Sequence, residues 1–276
     1  MAPGMKRLFV CGDSWFTTDP ENQLQSVAGQ LADRHNLQLT SFARVGCSNF
    51  AIALQVNQAI KHIELLRSPP KYNLVIVGAT TPDRIELPII DKGIWDKLKQ
   101  FFDWKGWFHF QPGVYLRRRG LANVKYARKD LSTHHSFLTD PTIISESINN
   151  LAFNESGAKE AYGLDQERID ALKSYMVNLY DTYVKRQYDS WIISDAVRRL
   201  KDAGIPFLVY TAALYDGEYI EDITWAPREN LIMPEDFDYY SLPISGASMS
   251  HLDTHESGVF ANYLTDRMKQ LGFINE

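Results

Sequence analysis

Cysteine is scarce: only Cys11 and Cys47 occur in 276 residues. Two thiols cannot build a disulfide framework or a four-cysteine zinc site. Long hydrophobic runs are missing too, since no apolar stretch approaches the roughly 20 residues of a membrane span. There is no basic surplus either. Lys and Arg number 29 against 34 Asp and Glu, a formal net charge of −5. A protein built mainly to hold nucleic acid usually shows a basic face, so that class of partner is not expected. The one basic run, Arg117-Arg118-Arg119, reads as a solvated loop. Repeats and low-complexity tracts are absent. The apolar run ending at Cys11 is too short for a signal peptide and lacks a small-residue cleavage site, so the expectation is a soluble, cytoplasmic chain. What remains is ordinary globular composition, 45% apolar and 23% charged, in one chain long enough for a full core. A single domain over 1–276 is expected.

The apolar pattern alternates between strands and helices. Lys6 to Cys11 is a short apolar run stopped by Gly12, the look of a buried parallel strand. Leu24, Val27, Ala28 and Leu31 recur at helical spacing, which predicts a helix over Glu21 to His35. Leu37 to Phe42 reads as a strand. Ser48 and Asn49 are good caps for a helix running to about Arg67, where Ser68-Pro69-Pro70 breaks it. Tyr72 to Val77 is the clearest strand. This rhythm implies right-handed crossovers and a parallel sheet.

Residues 84 to about 163 break the pattern. They hold no clean strand and many aromatics, among them Trp95, Trp104 and Trp107. Such an insertion is either a small subdomain with its own core or a substrate-facing cover. The rhythm resumes with a long helical pattern from Asp165 to Ala203, with a break or bend expected near Tyr188 to Ser190. Gly204 ends it, Phe207 to Tyr210 is a buried strand, Asn230 to Met233 a last short one, and Ser257 to Leu271 a closing helix. The fold class expected is α/β: a three-layer α/β/α, flavodoxin-like parallel sheet of about five strands with a long insertion.

Open parallel sheets place their sites at the carboxyl ends of the strands. The segments there are Gly12-Asp13-Ser14-Trp15, Arg44 to Asn49 and Gly78 to Arg84, and His251 to His255 precedes the last helix. A serine nucleophile needs a base, and the base an orienting acid. In extended backbone Asp253 and His255, two apart, point to the same side. The carboxylate can then accept from the imidazole N–H while the ring faces Ser14. A metal reading stays open, because His251, Asp253 and His255 alternate and suit a zinc ion.

These blocks resemble those of the SGNH (GDSL-like) hydrolase superfamily. Gly12-Asp13-Ser14 matches the first block, Gly46 the glycine of the second, and Asp253 with His255 the last. The resemblance implies a Ser14 nucleophile, a His255 base and an Asp253 orienter. It also implies an oxyanion hole from the backbone N–H groups of Ser14 and Gly46. The third block differs. Its usual Gly-x-Asn-Asp reads Gly78-Ala79-Thr80-Thr81, so Thr80 stands where an Asn donor would be, and the stretch to Glu86 is similar to a divergent, phage-associated branch. The expected function is hydrolysis of a small acyl ester, an O-acetyl group on carbohydrate being one candidate. No cofactor, metal, membrane or nucleic acid is required, and oligomeric state is not readable. The alternative is an SGNH-fold binding or structural protein that has lost the activity.

Overall fold

The computed structural model describes residues 6–13, 15–17, 26–44, 47–88, 143–156, 164–211, 226–233, 235–237 and 254–274. Five strands form the central sheet: β1 Arg7–Cys11, β2 Gln38–Ser41, β3 Asn73–Gly78, β6 Phe207–Tyr210 and β7 Leu231–Ile232. All neighbours pair in parallel, in the order β2-β1-β3-β6-β7. Taking the sheet's strands in chain order, this is 2-1-3-4-5, the flavodoxin-like arrangement. It reverses direction between β1 and β3, so the loops after those two strands diverge to opposite faces and leave a crevice.

The helices cover both faces, as the continuous apolar runs of the strands require. One face buries Leu8, Val10, Leu74, Ile76, Leu208 and Ile232 under α1 (Val27–Arg34) and α6 (Thr254–Gln270). The other buries Phe9, Cys11, Val75, Val77, Phe207 and Val209 under α2 (Asn49–Leu65) and α5 (Thr182–Asp202). No helix among the described residues is long and apolar enough to cross a membrane.

Side-chain caps set several helix starts. Ser26 accepts from the Gly29 N–H at 3.0 Å, and Ser48 from that of Ala51 at 3.3 Å. The pattern from Asp165 to Ala203 is broken into two helices, α4 (Gln166–Asn178) and α5, but not where expected. The break falls at Leu179 to Asp181, because Asp181 caps the Val184 N–H at 2.9 Å. Tyr188 to Ser190 stays helical, with the Ser190 hydroxyl returned to the Arg186 carbonyl at 2.9 Å. Gly204 does end the run, at φ 64°, a left-handed position that favours glycine.

The insertion departs from expectation at its edges. β4 (Arg84–Pro88) and β5 (Ile143–Ser147) pair antiparallel in a second, two-stranded sheet. Neither was recognisable alone, since RIELP and IISES mix polar with apolar residues instead of forming an apolar run. Their partners stand on opposite sides of residues 89–142. Helix α3 (Ile148–Phe153) follows directly. Ile85, Ile148, Ala152, Leu164, Ile169 and Leu172 form a separate small core joining β4, α3 and α4.

Candidate functional site

The chemistry expected from the sequence gathers where β1 and β3 end. β1 stops at Cys11, and the next residue, Gly12, has both backbone polar groups taken by one side chain. Gln55, buried on α2, accepts the Gly12 N–H at 2.6 Å and donates Nε2 to the Gly12 carbonyl at 3.0 Å. Its carboxamide imitates a strand's edge where the ladder has ended. The Arg44 N–H also reaches the Gly12 carbonyl, at 3.1 Å.

After Gly12 the chain turns sharply. Asp13 accepts the Trp15 N–H through Oδ1 at 3.1 Å, and its carbonyl accepts the Phe16 N–H at 3.1 Å. This is an Asx-type turn, which Asp favours. Phe16 then folds back under the turn, its ring against Gly12 and Gly78. A Cβ at Gly78 would run into that ring, so the absence of a side chain there is what lets Phe16 lie on the strand ends. Edge-to-face contacts with Tyr210 at 6.2 Å and Phe260 at 6.1 Å pin it from the sheet and from α6.

Asp13 is buried, 4% exposed, so its carboxylate needs partners. Thr80 Oγ1 donates to Asp13 Oδ2 at 2.6 Å, and Arg84 Nη2 lies 3.4 Å from the same oxygen. Thr80 is itself fully buried, and Asn49 holds its backbone from both sides. Asn49 Oδ1 accepts the Thr80 N–H at 2.9 Å, and Asn49 Nδ2 donates to the Thr80 carbonyl at 2.8 Å. The same amide donates to Asp189 Oδ2 at 3.0 Å, and Lys185 Nζ closes the chain on Asp189 Oδ1 at 2.6 Å. A continuous polar line thus runs from α5 through α2 to the loops after β3 and β1.

The next stretch of the β3 loop is held as well. Thr81 donates its hydroxyl to Asp83, Tyr180 donates to the Pro82 carbonyl at 2.7 Å, and the Ile148 N–H donates to the Asp83 carbonyl at 2.9 Å. Burial, with the Asp83 carboxylate adding to it, pushes the Tyr180 phenol up to about 12.

Two sequence-derived site residues fall in described segments. Thr80 lies at the expected edge, but its single hydroxyl proton goes to Asp13. To donate to an oxyanion it would have to release that carboxylate. His255 is exposed and lies in the first turn of α6, which begins at Thr254, three residues before the expected start at Ser257. The extended backbone on which its pairing with Asp253 was argued does not hold at His255 itself, which is helical. Gln30 on α1 ties this helix start in place, donating to the Thr254 carbonyl at 2.9 Å. Ser14, Gly46, His251 and Asp253 lie outside the described residues. So do Arg117, Arg118 and Arg119.

Cys11 and Cys47 stand close to this edge without being candidates for a thiolate nucleophile. Burial raises the Cys11 thiol far above its ordinary range. It raises Cys47 to about 11, against the opposing pull of Arg44 and Arg84. Both thiols are protonated at neutral pH.

Gln55 and Asp189 were not anticipated as parts of a site, and Asn49, within the expected Arg44 to Asn49 segment, was read only as a helix cap. Each occupies a core-facing position of its helix. Asn49 and Gln55 fall in register with Ile52, Val56 and Ala59, and Asp189 with Ile193 and Ala196. A polar residue inside an apolar stripe was the available signal. No family model, curated protein or solved structure matches this chain.

Proposed function

We propose that the protein is a serine ester hydrolase. One observation supports this above the others: the turn bearing the Gly12-Asp13-Ser14 block is braced from four directions, by Gln55, Thr80, Arg84 and Phe16. A catalytic hydroxyl has to be held still relative to its base and its oxyanion donors. The 2-1-3-4-5 strand order adds support, since it sets this turn beside the crevice where α/β sheets of this kind take ligands.

In this reading Ser14 Oγ attacks the acyl carbonyl as His255 removes its proton. The oxyanion accepts from the backbone N–H groups of Ser14 and Gly46. The alcohol leaves with the proton returned by His255, and water, activated by the same ring, frees the acid from the acyl-serine. Asp253 orients His255 and stabilises its charged form. Thr80 braces Asp13 and leaves the oxyanion to the backbone. The substrate is a small acyl ester, O-acetylated carbohydrate included.

A second reading, a binding protein on the same fold, draws on the engagement of Thr80 with Asp13. The two differ in one experiment. A fluorophosphonate probe should label Ser14, and Ser14→Ala should abolish both labelling and hydrolysis of 4-nitrophenyl acetate. Turnover of that ester by the wild-type chain that survives Ser14→Ala would end the serine reading. A folded wild-type chain with neither labelling nor turnover would favour the binding protein.

A further inference from the structure

The end of the sheet opposite the crevice, where β1 and β3 begin and α2 stops, gathers cations. Lys6, Lys61, Arg67 and Lys71 are exposed there, and Arg7 is half-buried. None has a carboxylate partner among the described residues. Glu64 is the one acidic side chain within segments 6–7 and 61–72. Hydrogen bonds hold the two segments together. The Lys6 N–H donates to the Tyr72 carbonyl at 2.9 Å. Arg7 donates to Ser68 Oγ at 2.9 Å and to Gln38 Oε1 at 3.2 Å. The Lys6 and Lys71 ammonium groups lie 5.3 and 5.4 Å from the centroid of the same Tyr72 ring. Arg67 takes the left-handed position just past α2, at φ 50°. Two leucines project beside these charges. Leu65 is 82% exposed, more than any other large apolar side chain among the described residues, and Leu66 is 42% exposed. Lys61 is one helical turn before Leu65, so the two share a face. In a chain of net charge −5, this end runs against the overall sign.

We propose that this end of the molecule docks on an anionic lipid surface. The cations meet the charged headgroups, and Leu65 and Leu66 enter the boundary with the acyl chains. Charge supplies the attraction, and removing exposed leucine from water adds to it. Nucleic acid would use the cations and leave the leucines in water. The Tyr72 ring is also engaged by two ammonium groups rather than open for a base to stack on. Docking of this kind needs no spanning helix, and none occurs among the described residues. The crevice lies at the other ends of β1 and β3, so it faces away from the bilayer. The docking surface stands independently of the hydrolase reading.

The test is flotation of the full chain with vesicles of phosphatidylcholine and phosphatidylserine, mixed roughly 2:1, against phosphatidylcholine alone. The mixed vesicles should bind at least about tenfold more tightly, and roughly 0.5 M salt should release the chain. Lys6→Glu together with Lys71→Glu should lower partitioning by about a hundredfold or more, since each basic side chain contributes about fivefold and each new carboxylate opposes it. Leu65→Ser should lower it by about tenfold. These side chains are exposed, so urea midpoints should stay near that of the wild type. No preference for the anionic vesicles, or a preference that survives the double charge reversal, would overturn the proposal. Binding indifferent to Leu65→Ser and matched by duplex DNA would make this a general polyanion surface, and would overturn the lipid assignment as well.

Discussion

Replacing Thr80 by Val removes one oxygen and keeps the shape of the side chain. In the native protein that oxygen donates to Asp13 Oδ2 at 2.6 Å, with Thr80 0% and Asp13 4% exposed. A hydrogen bond to a charged group contributes about 1.5–3 kcal/mol, and its loss leaves a buried carboxylate oxygen facing a methyl group. Arg84, at 3.4 Å, does not make up for a 2.6 Å hydrogen bond. The expected cost is therefore about 2 kcal/mol, read as a lower midpoint in urea with an unchanged slope. A double-mutant cycle with Asp13→Asn isolates the pair. The two substitutions together should cost less than the sum of the singles by about 1 kcal/mol or more, because the second has no bond left to break. A Thr80→Val chain within about 0.5 kcal/mol of wild type, the usual range for an uninvolved surface position, would refute the bracing role. It would return Thr80 to consideration as a donor toward substrate. Thr80→Asn is informative beside it. If Thr80 braces Asp13, Asn should lower turnover of 4-nitrophenyl acetate rather than raise it.

Three other outcomes follow from the same geometry. Gly78→Ala should destabilise by about 1–3 kcal/mol, the usual cost of overpacking, and Phe16→Leu in the same chain should recover part of the loss; additive costs by thermal melting would contradict the Phe16 contact. Lys185→Met should cost about 3 kcal/mol by urea denaturation, because Asp189 is fully buried and loses its cation, whereas removing both Lys185 and Asp189 charges should cost less than this single change. The Cys47 thiol titrates near 9.0 when unfolded and near 11 when folded. Its contribution is therefore complete below about pH 9 and is lost as pH rises through 11, and Cys47→Ala should flatten the fall in stability over that window; an unchanged slope would reject the assignment.

Much of the sheet is legible from apolar runs alone. Strands buried on both faces need no alternation, so Leu8 to Cys11, Leu74 to Val77 and Phe207 to Tyr210 stand out against polar surroundings, and the parallel order follows from the helices between them. Pairings of distant partners are not legible in the same way. Arg84–Pro88 has a mixed composition, and it becomes a strand only because Ile143–Ser147 lies against it. The α4–α5 junction was misplaced for a different reason. Polar Asp189 and Ser190 look like a helix interruption, yet Lys185, Asn49 and the Arg186 carbonyl satisfy them inside the helix. The Asp181 cap was the better signal.

The same misreading shows how such a site can be found. The ends of β1 and β3 are where backbone ladders stop, and the buried N–H and C=O groups beyond them need partners that no strand supplies. Gln55 supplies them for Gly12 and Asn49 for Thr80, each with one donor and one acceptor on a single carboxamide. Asp or Leu at either position would satisfy at most one of the two groups. A carboxamide on the buried face of the helix between two parallel strands therefore marks loops that are held rigid beyond the sheet. A loop that only connects elements can stay on the surface and bond to water. These two loops are instead bound inward by buried side chains, at the only crevice the strand order creates among the described residues. That expenditure of buried polar groups is understandable if the Gly12 turn has to hold a reacting hydroxyl in one place.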